Sequence, residues 1–320
     1  MIRTALCGLG FSLLMPLACA LPKVTVVESY HPENSWDQAY LQGIKSKLDG
    51  VAELDFISLD TKRQPTREHL QQAGVALEQI QSRSPDLVML GDDAALALLG
   101  PKLGRMAMPT VFLGINADPA AYFAGGKIPP TITGILERPH YKRSLALIRE
   151  VLPGLRRILV LMDQDRSAFI LRDDLLRLGD TRLDVQQVGT FAAWQQALDA
   201  APASYDVVII ATYQALVDEK LRNVDAAQVM RWSSANSKIP LFGFWDFQVG
   251  REATAGGVVI TGFEQGAVAG SMAKTQLQKP AQRQAIRSGS SGRIMFSRTQ
   301  LERWQFKIPA AMQSQISWVP

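Results

Sequence analysis

Short β-branched runs alternate with amphipathic stretches along almost the whole chain, and the strongest runs end in polar loops. The first unit is the clearest. Val24-Thr-Val-Val-Glu-Ser29 reads as a buried strand, Tyr30 to Asp37 as a polar, aromatic loop, and Ser35 to Leu48 as a helix capped by Ser35. A weaker strand, Ala52–Leu59, precedes a helix from Thr66 to Arg83 that Ser84-Pro85-Asp86 stops. Leu87–Leu90 enters the turn Gly91-Asp92-Asp93 before a helix from Ala94, and Pro109–Leu113 enters Gly114-Ile-Asn116-Ala-Asp118-Pro119 in the same manner. This rhythm predicts a parallel, doubly wound sheet.

The pattern then restarts. Arg157–Met162 is a strand, Asp163-Gln164-Asp-Arg-Ser167 a polar loop and Ala168–Leu178 a helix, the same unit as Val24 to Leu48. Leu183–Val188, a helix around Ala192–Ala200, the strand Asp206–Ile210 ending in Ala211-Thr212-Tyr213, a helix around Asp225–Ser234 and Ile239–Phe244 complete a second set. The tail adds the strand Gly256–Thr261, a helix from Glu264 to Leu277, a Ser/Gly turn at Ser288–Gly292 and a short strand, Arg293–Phe296. That is too little chain for a third domain, so the tail is expected to complete the first two. The predicted class is α/β, with two doubly wound Rossmann-like (flavodoxin-like) lobes of parallel sheet joined by a multi-strand hinge. A first crossover is expected near Thr133-Gly134-Ile135. Residues 21–134 plus 257–282 are assigned to the first lobe, and 135–256 plus 283–320 to the second.

Residues 1–20 read as a leader, with Arg3 as the positive end, Ala5 to Leu17 as the apolar stretch and Ala18-Cys19-Ala20 as the cleavage site. Later apolar runs are too short to span a membrane. The expectation is therefore a soluble periplasmic chain beginning near Leu21. A lipid anchor on Cys19 is the competing reading, which Pro16 disfavours by standing where such sites prefer an aliphatic residue. Cys7 and Cys19, the two cysteines, both lie in the leader. This excludes disulfides, thiolate metal sites and cysteine nucleophiles from the mature chain. The net charge of +4 is spread over mixed-sign segments such as Arg172/Asp173/Asp174/Arg177, without a basic–aromatic block, so no nucleic-acid partner is expected.

Ligands of open α/β sheets bind outside the carboxyl ends of the strands. The candidate contacts are accordingly Tyr30, His31, Trp36, Asp92, Asp93, Asn116 and Asp118 from the first lobe, and Asp163, Gln164, Tyr213, Trp245 and Asp246 from the second. Aromatics supply flat apolar area, while carboxylates and amides fix orientation, a mix suited to a small polar or zwitterionic ligand with an apolar part. Each has a plainer reading. Trp36 packs equally well onto its sheet, Asp118 before Pro119 is a turn former, and Asp92, Asp93 and Asp163 serve as helix caps or first-turn acids. Tyr213 and Trp245 follow strongly apolar strands directly, which favours the cleft for them. His31 has no partner histidine at ligand spacing, since His69 and His140 lie far off in sequence. No metal and no cofactor are expected. The chain holds no G-x-S-x-G, G-x-x-x-x-G-K or H-E-x-x-H motif.

Several segments together resemble a known family: Tyr30-His31-Pro32…Trp36…Gly43-Ile44, Met108-Pro-Thr-Val-Phe112…Asp118-Pro119, Thr133-Gly134-Ile135, Leu152-Pro153, Ile239-Pro-Leu-Phe242 and the helix after Gly256-Gly257. They look like the substrate-binding proteins of ABC transporters in the type I periplasmic-binding-protein fold, closest to the branch whose better-known members bind aromatic amino acids. The opening also resembles extracytoplasmic sensor domains of that fold, which are usually fused to signalling kinases. The resemblance implies a monomeric, non-enzymatic module that captures a small molecule, amino-acid-like or aromatic, and docks on a membrane permease. One alternative partner is a separate membrane sensor, a kinase or cyclase, because neither a membrane helix nor a kinase follows Pro320. A secreted α/β hydrolase is the alternative from another class. It requires a nucleophile and a base converging near Tyr213 or Asp246.

Overall fold

In the first lobe the valine-rich run Lys23–Glu28 (β1) lies at the interior of a six-stranded parallel sheet. The computed structural model describes residues 20–289 and 292–320. Residues 1–19, which hold both cysteines and all but the last residue of the expected leader, lie outside the described residues. After β1 come α1 (Ser35–Leu48), β2 (Glu53–Ser58), α2 (His69–Arg83), β3 (Leu87–Gly91), α3 (Asp92–Arg105), β4 (Thr110–Ile115) and β5 (Ile132–Leu136). The second lobe follows with α4 (Tyr141–Val151), β6 (Ile158–Met162), α5 (Arg166–Leu176), β7 (Leu183–Gln187), α6 (Phe191–Ala200), β8 (Val207–Ile210), α7 (Ala226–Asn236) and β9 (Leu241–Gly243). The tail supplies β10 (Gly256–Val259), α8 (Gly262–Gln278), β11 (Arg287–Ser288), β12 (Arg293–Ser297), α9 (Arg298–Trp304), α10 (Ala310–Gln313) and β13 (Ile316–Val319).

The first sheet runs β11-β5-β4-β3-β1-β2 and the second β7-β6-β8-β9, parallel throughout. Strands β3, β4, β6 and β8 are buried along their whole length, as expected of parallel strands covered by helices on both faces. The edge strand β2 is mostly exposed, which explains its weaker hydrophobic signal. The expected α/β class, with two Rossmann-like lobes, is what the chain adopts.

The tail is shared between the lobes. Helix α8 packs along α1 at a distance only glycine permits: a Cβ on Gly266 would stand 1.9 Å from Tyr40 O, and one on Gly43 2.1 Å from Phe263 O. Strand β10 pairs antiparallel with β12, which pairs parallel with β13. The bonds Ala255 N→Leu241 O (2.7 Å) and Ile260 N→Phe244 O (3.0 Å) tie β10 to β9.

Three local expectations change. Helix α1 is capped by Asn34, not Ser35: Asn34 Oδ1 accepts from the amides of Trp36 (3.0 Å) and Asp37 (3.3 Å). No turn separates β3 from α3, because Asp92 itself makes the corner in the left-handed region at φ 73°. Two segments assigned to the second lobe join the first sheet. Strand β5 runs on through Leu136, and Arg287–Ser288 pairs with it where a turn was expected to begin at Ser288. A two-residue strand of arginine and serine carries no hydrophobic signal, so only its partner reveals it.

Candidate functional site

The loops after β1, β3, β4 and β5 face those after β6, β8 and β9 across a cavity with about 30 Å³ of water-accessible space. Five of the expected residues line it: Tyr30, Trp36, Asp92, Asn116 and Trp245.

Each is fixed by bonds made in its own loop. Tyr30 N donates to Asp37 Oδ2 (3.2 Å), while Tyr30 O accepts from Asp60 N (2.7 Å) and from the Ser58 hydroxyl. Ser29 Oγ donates to Gly91 O (2.6 Å) and accepts from Ala95 N (2.8 Å), stitching the β1 loop to the β3–α3 corner. The Asn34 cap sets the first turn of α1 and so places Trp36, whose buried indole N–H finds no partner among the described residues. Asp92 occupies a conformation that costs a non-glycine residue on the order of 1 kcal/mol, the kind of strain concentrated at functional sites. Gln248 holds Trp245: its Oε1 accepts from the amides of Phe244 (2.9 Å) and Trp245 (3.2 Å), and its Nε2 donates to Ala211 O (2.6 Å). Phe247 then stacks on the Trp245 ring at 6.3 Å.

Two expected carboxylates act one step back, in matching roles. Asp93 accepts from Asn116 N (2.9 Å), Ala117 N (3.2 Å) and Tyr122 OH (2.7 Å), and so fixes the loop that presents Asn116. In the second lobe, Asp163 accepts from Thr212 Oγ1 (2.7 Å) and Ala215 N (2.9 Å), fixing the loop that presents Thr212 and Gln214.

The remaining candidates stand away from the cavity lining. His31 pairs with Glu33 at 3.1 Å. Asp118 caps the short 3₁₀ turn Pro119–Tyr122 through Ala120 N at 3.0 Å. Gln164 lies against Gly189. Tyr213, expected in the cleft, is packed in the second lobe's core beside Trp194 at 6.3 Å. Asp246 folds back on Phe247 N (2.9 Å). Period-two geometry separates Tyr213 from its neighbours, since successive residues leaving a strand point to opposite sides. Thr212 and Gln214 face the cavity, and Tyr213 faces the core.

The cavity also contains residues that motif reading passed over, chiefly Lys62, Glu137 and Ser167. Glu137 follows β5 and accepts from Trp245 Nε1 at 2.8 Å. Lys62 follows β2, and its ammonium lies 3.1 Å from Asp165 Oδ2 and 4.4 Å from the Tyr30 ring centroid. Spacing to the nearest strand end was a usable signal for both, but neither belongs to a recognisable motif.

Acid groups dominate the electrostatics. Burial pushes Asp37, Asp92, Glu137 and Asp163 above the ordinary carboxylate range. Neighbouring carboxylates add to this: Asp93 for Asp92, Asp92 for Glu137, and Asp165 for Asp163. Among the described residues Lys62 is the one cation lining the cavity. The arrangement suits a ligand that brings positive charge or hydrogen-bond donors together with an apolar ring. Among the described residues no group of three or more His, Cys, Asp or Glu is placed to hold a metal ion, and no helix is long and apolar enough to cross a membrane.

No family model matches the chain, and no curated protein matches it in sequence. Solved structures do. A conserved domain protein from Vibrio cholerae superposes with a TM-score of 0.70 at 17% identity, over 93% of this chain and 99% of its own. The ABC domain from Streptococcus pneumonia in complex with L-Trp gives the same TM-score and identity, covering 93% and 100%. A substrate-binding protein with adhesive properties from Clostridium difficile, in its ligand-free, open form, gives 0.65 at 14% identity, covering 93% and 99%. The fold of this chain is that of the type I periplasmic binding proteins.

Proposed function

We propose that the protein is a solute-binding protein of the periplasm, which captures a small molecule between its lobes and delivers it to an ABC-type membrane permease. The observation that carries this reading is the cavity itself, lined by strand-end loops of both lobes and bridged by Tyr30 OH to Ser167 Oγ at 3.1 Å. A ligand that touches both walls favours the closed arrangement, because only that arrangement offers both sets of contacts.

We assign it a ligand of amino-acid type with an aromatic side chain. Asp92 and Glu137 provide acceptors for an ammonium, and Trp36, Trp245 and Phe247 provide ring surfaces. The L-Trp held by the streptococcal neighbour supports the same class. With about 30 Å³ of water-accessible space the cavity is too small for such a molecule, so entry requires the lobes to part.

A thermal-shift screen of amino acids, nucleosides, sugars and short peptides tests the assignment. A true ligand at a hundredfold excess over its Kd adds about 2.7 kcal/mol of stability. Trp36→Ala and Asp92→Asn lose that shift while remaining folded. A shift retained in both variants refutes the placement of the site. We further assign binding without turnover, which recovery of the ligand unchanged from the complex checks.

A further inference from the structure

Lys62 stands on the first lobe, yet only 5% of its side chain is exposed. Its hydrogen-bonding partners both come from the other lobe: Asp165 Oδ2 at 3.1 Å and Gln214 Oε1 at 3.3 Å. Beneath it lies the Tyr30 ring of its own lobe, 4.4 Å from the ammonium. The Asp165 carboxylate is held rigidly, since its other oxygen caps α5 by accepting from Ala168 N at 2.7 Å. Burial would pull the Lys62 ammonium down, but the carboxylates of Asp165, Asp163 and Asp92 more than offset it, so it stays charged.

This is the geometry by which a bound cation would bridge the lobes, built from a side chain of the protein. We propose that Lys62 is a tethered latch: its ammonium draws the lobes together by filling the acidic slot on the second lobe. The proposal rests on the reading of the lobes as a closing trap, and not on which molecule is trapped. The latch is reversible for a physical reason. On opening, water solvates both charges, and a buried pair roughly breaks even against its hydration. Removing one partner differs, because closure would then strand the other charge without its counterion.

Solution scattering without added ligand tests the latch. The wild type is expected to give the compact profile calculated from the closed structure. Lys62→Ala is expected to shift the closed-to-open ratio at least about tenfold toward open. The alanine keeps Cβ, so the missing atoms are those of n-propylammonium. That cation, at millimolar concentration, is expected to restore the compact profile of Lys62→Ala and to leave the wild type unchanged. The neutral n-propanol should not. Asp165→Asn provides a second route that does not alter Lys62: asparagine caps helices as well as aspartate does, and the variant should open in the same way. A wild type that scatters as the open form overturns the proposal. So do variants as compact as the wild type, or rescue by propanol equal to that by propylammonium. A negative ligand screen with opening variants would leave the latch standing and remove the assigned ligand class instead.

Discussion

Trp245 Nε1 donates a 2.8 Å hydrogen bond to Glu137 Oε1, joining residues 108 positions apart. Trp245 leaves the last strand of the second lobe, and Glu137 leaves the last strand of the first at the crossover into α4. The pair therefore ties the second lobe's side of the cavity to the crossover between the lobes.

The two partners should respond differently to substitution. Burial pushes the Glu137 carboxyl above its ordinary range, and Glu137→Gln keeps a carbonyl acceptor of the same shape, so it should cost less than about 1 kcal/mol. Trp245→Phe leaves a buried acceptor without its donor and should cost about 1–3 kcal/mol. Urea unfolding of both variants checks this, and equal losses would contradict it.

The acid cluster predicts that stability falls as pH rises. Burial lifts Glu28 to about 7 and Asp246 to about 6, and raises Asp37, Asp92, Glu137 and Asp163 as well. Each folded value lies above its unfolded value, so between the two the folded chain binds more protons. The contribution is full below the unfolded value and is lost as pH climbs through the folded one. Tm should thus decline as pH climbs from about 4.5 through about 7. Within that range, below its own ordinary value, His31 opposes the trend, since burial and Arg63 hold it down and its protonation is costly. A Tm that rises over the same interval would contradict the assignment.

Two glycine substitutions should move stability in opposite directions. Gly266→Ala drives a methyl into Tyr40 O and must push α8 off α1, at a cost of about 2–3 kcal/mol. Because α1 carries Asn34 and Trp36, ligand affinity should fall with it. Gly74→Ala, in α2 with open space around it, should stabilise by about 0.5–1 kcal/mol with binding unchanged. Denaturant midpoints and a binding titration on both variants separate the two effects.

Tyr213→Phe should bind ligand as well as the wild type does, because the ring belongs to the second lobe's core. Tyr213→Ala should cost about 3 kcal/mol or more from the cavity it leaves. Selective loss of binding in Tyr213→Phe would return this residue to the site.

The sequence by itself determined the α/β class, the two repeated units and the loops that form the site. These depend on local periodicity, and strands such as β3, β6 and β8 are apolar enough to declare themselves. It also named Tyr30, Trp36, Asp92, Asn116 and Trp245, five residues that line the cavity, because residues at strand ends are the ones that can face a cleft. Only the tertiary structure decided which way each strand-end side chain turns, sending Tyr213 inward and Thr212 and Gln214 outward. It alone placed β11 beside β5, packed α8 on α1, and brought Lys62 to Asp165 and Glu137 to Trp245. Those pairings span large sequence separations and depend on burial and counter-charge, neither of which has a local signature in the chain.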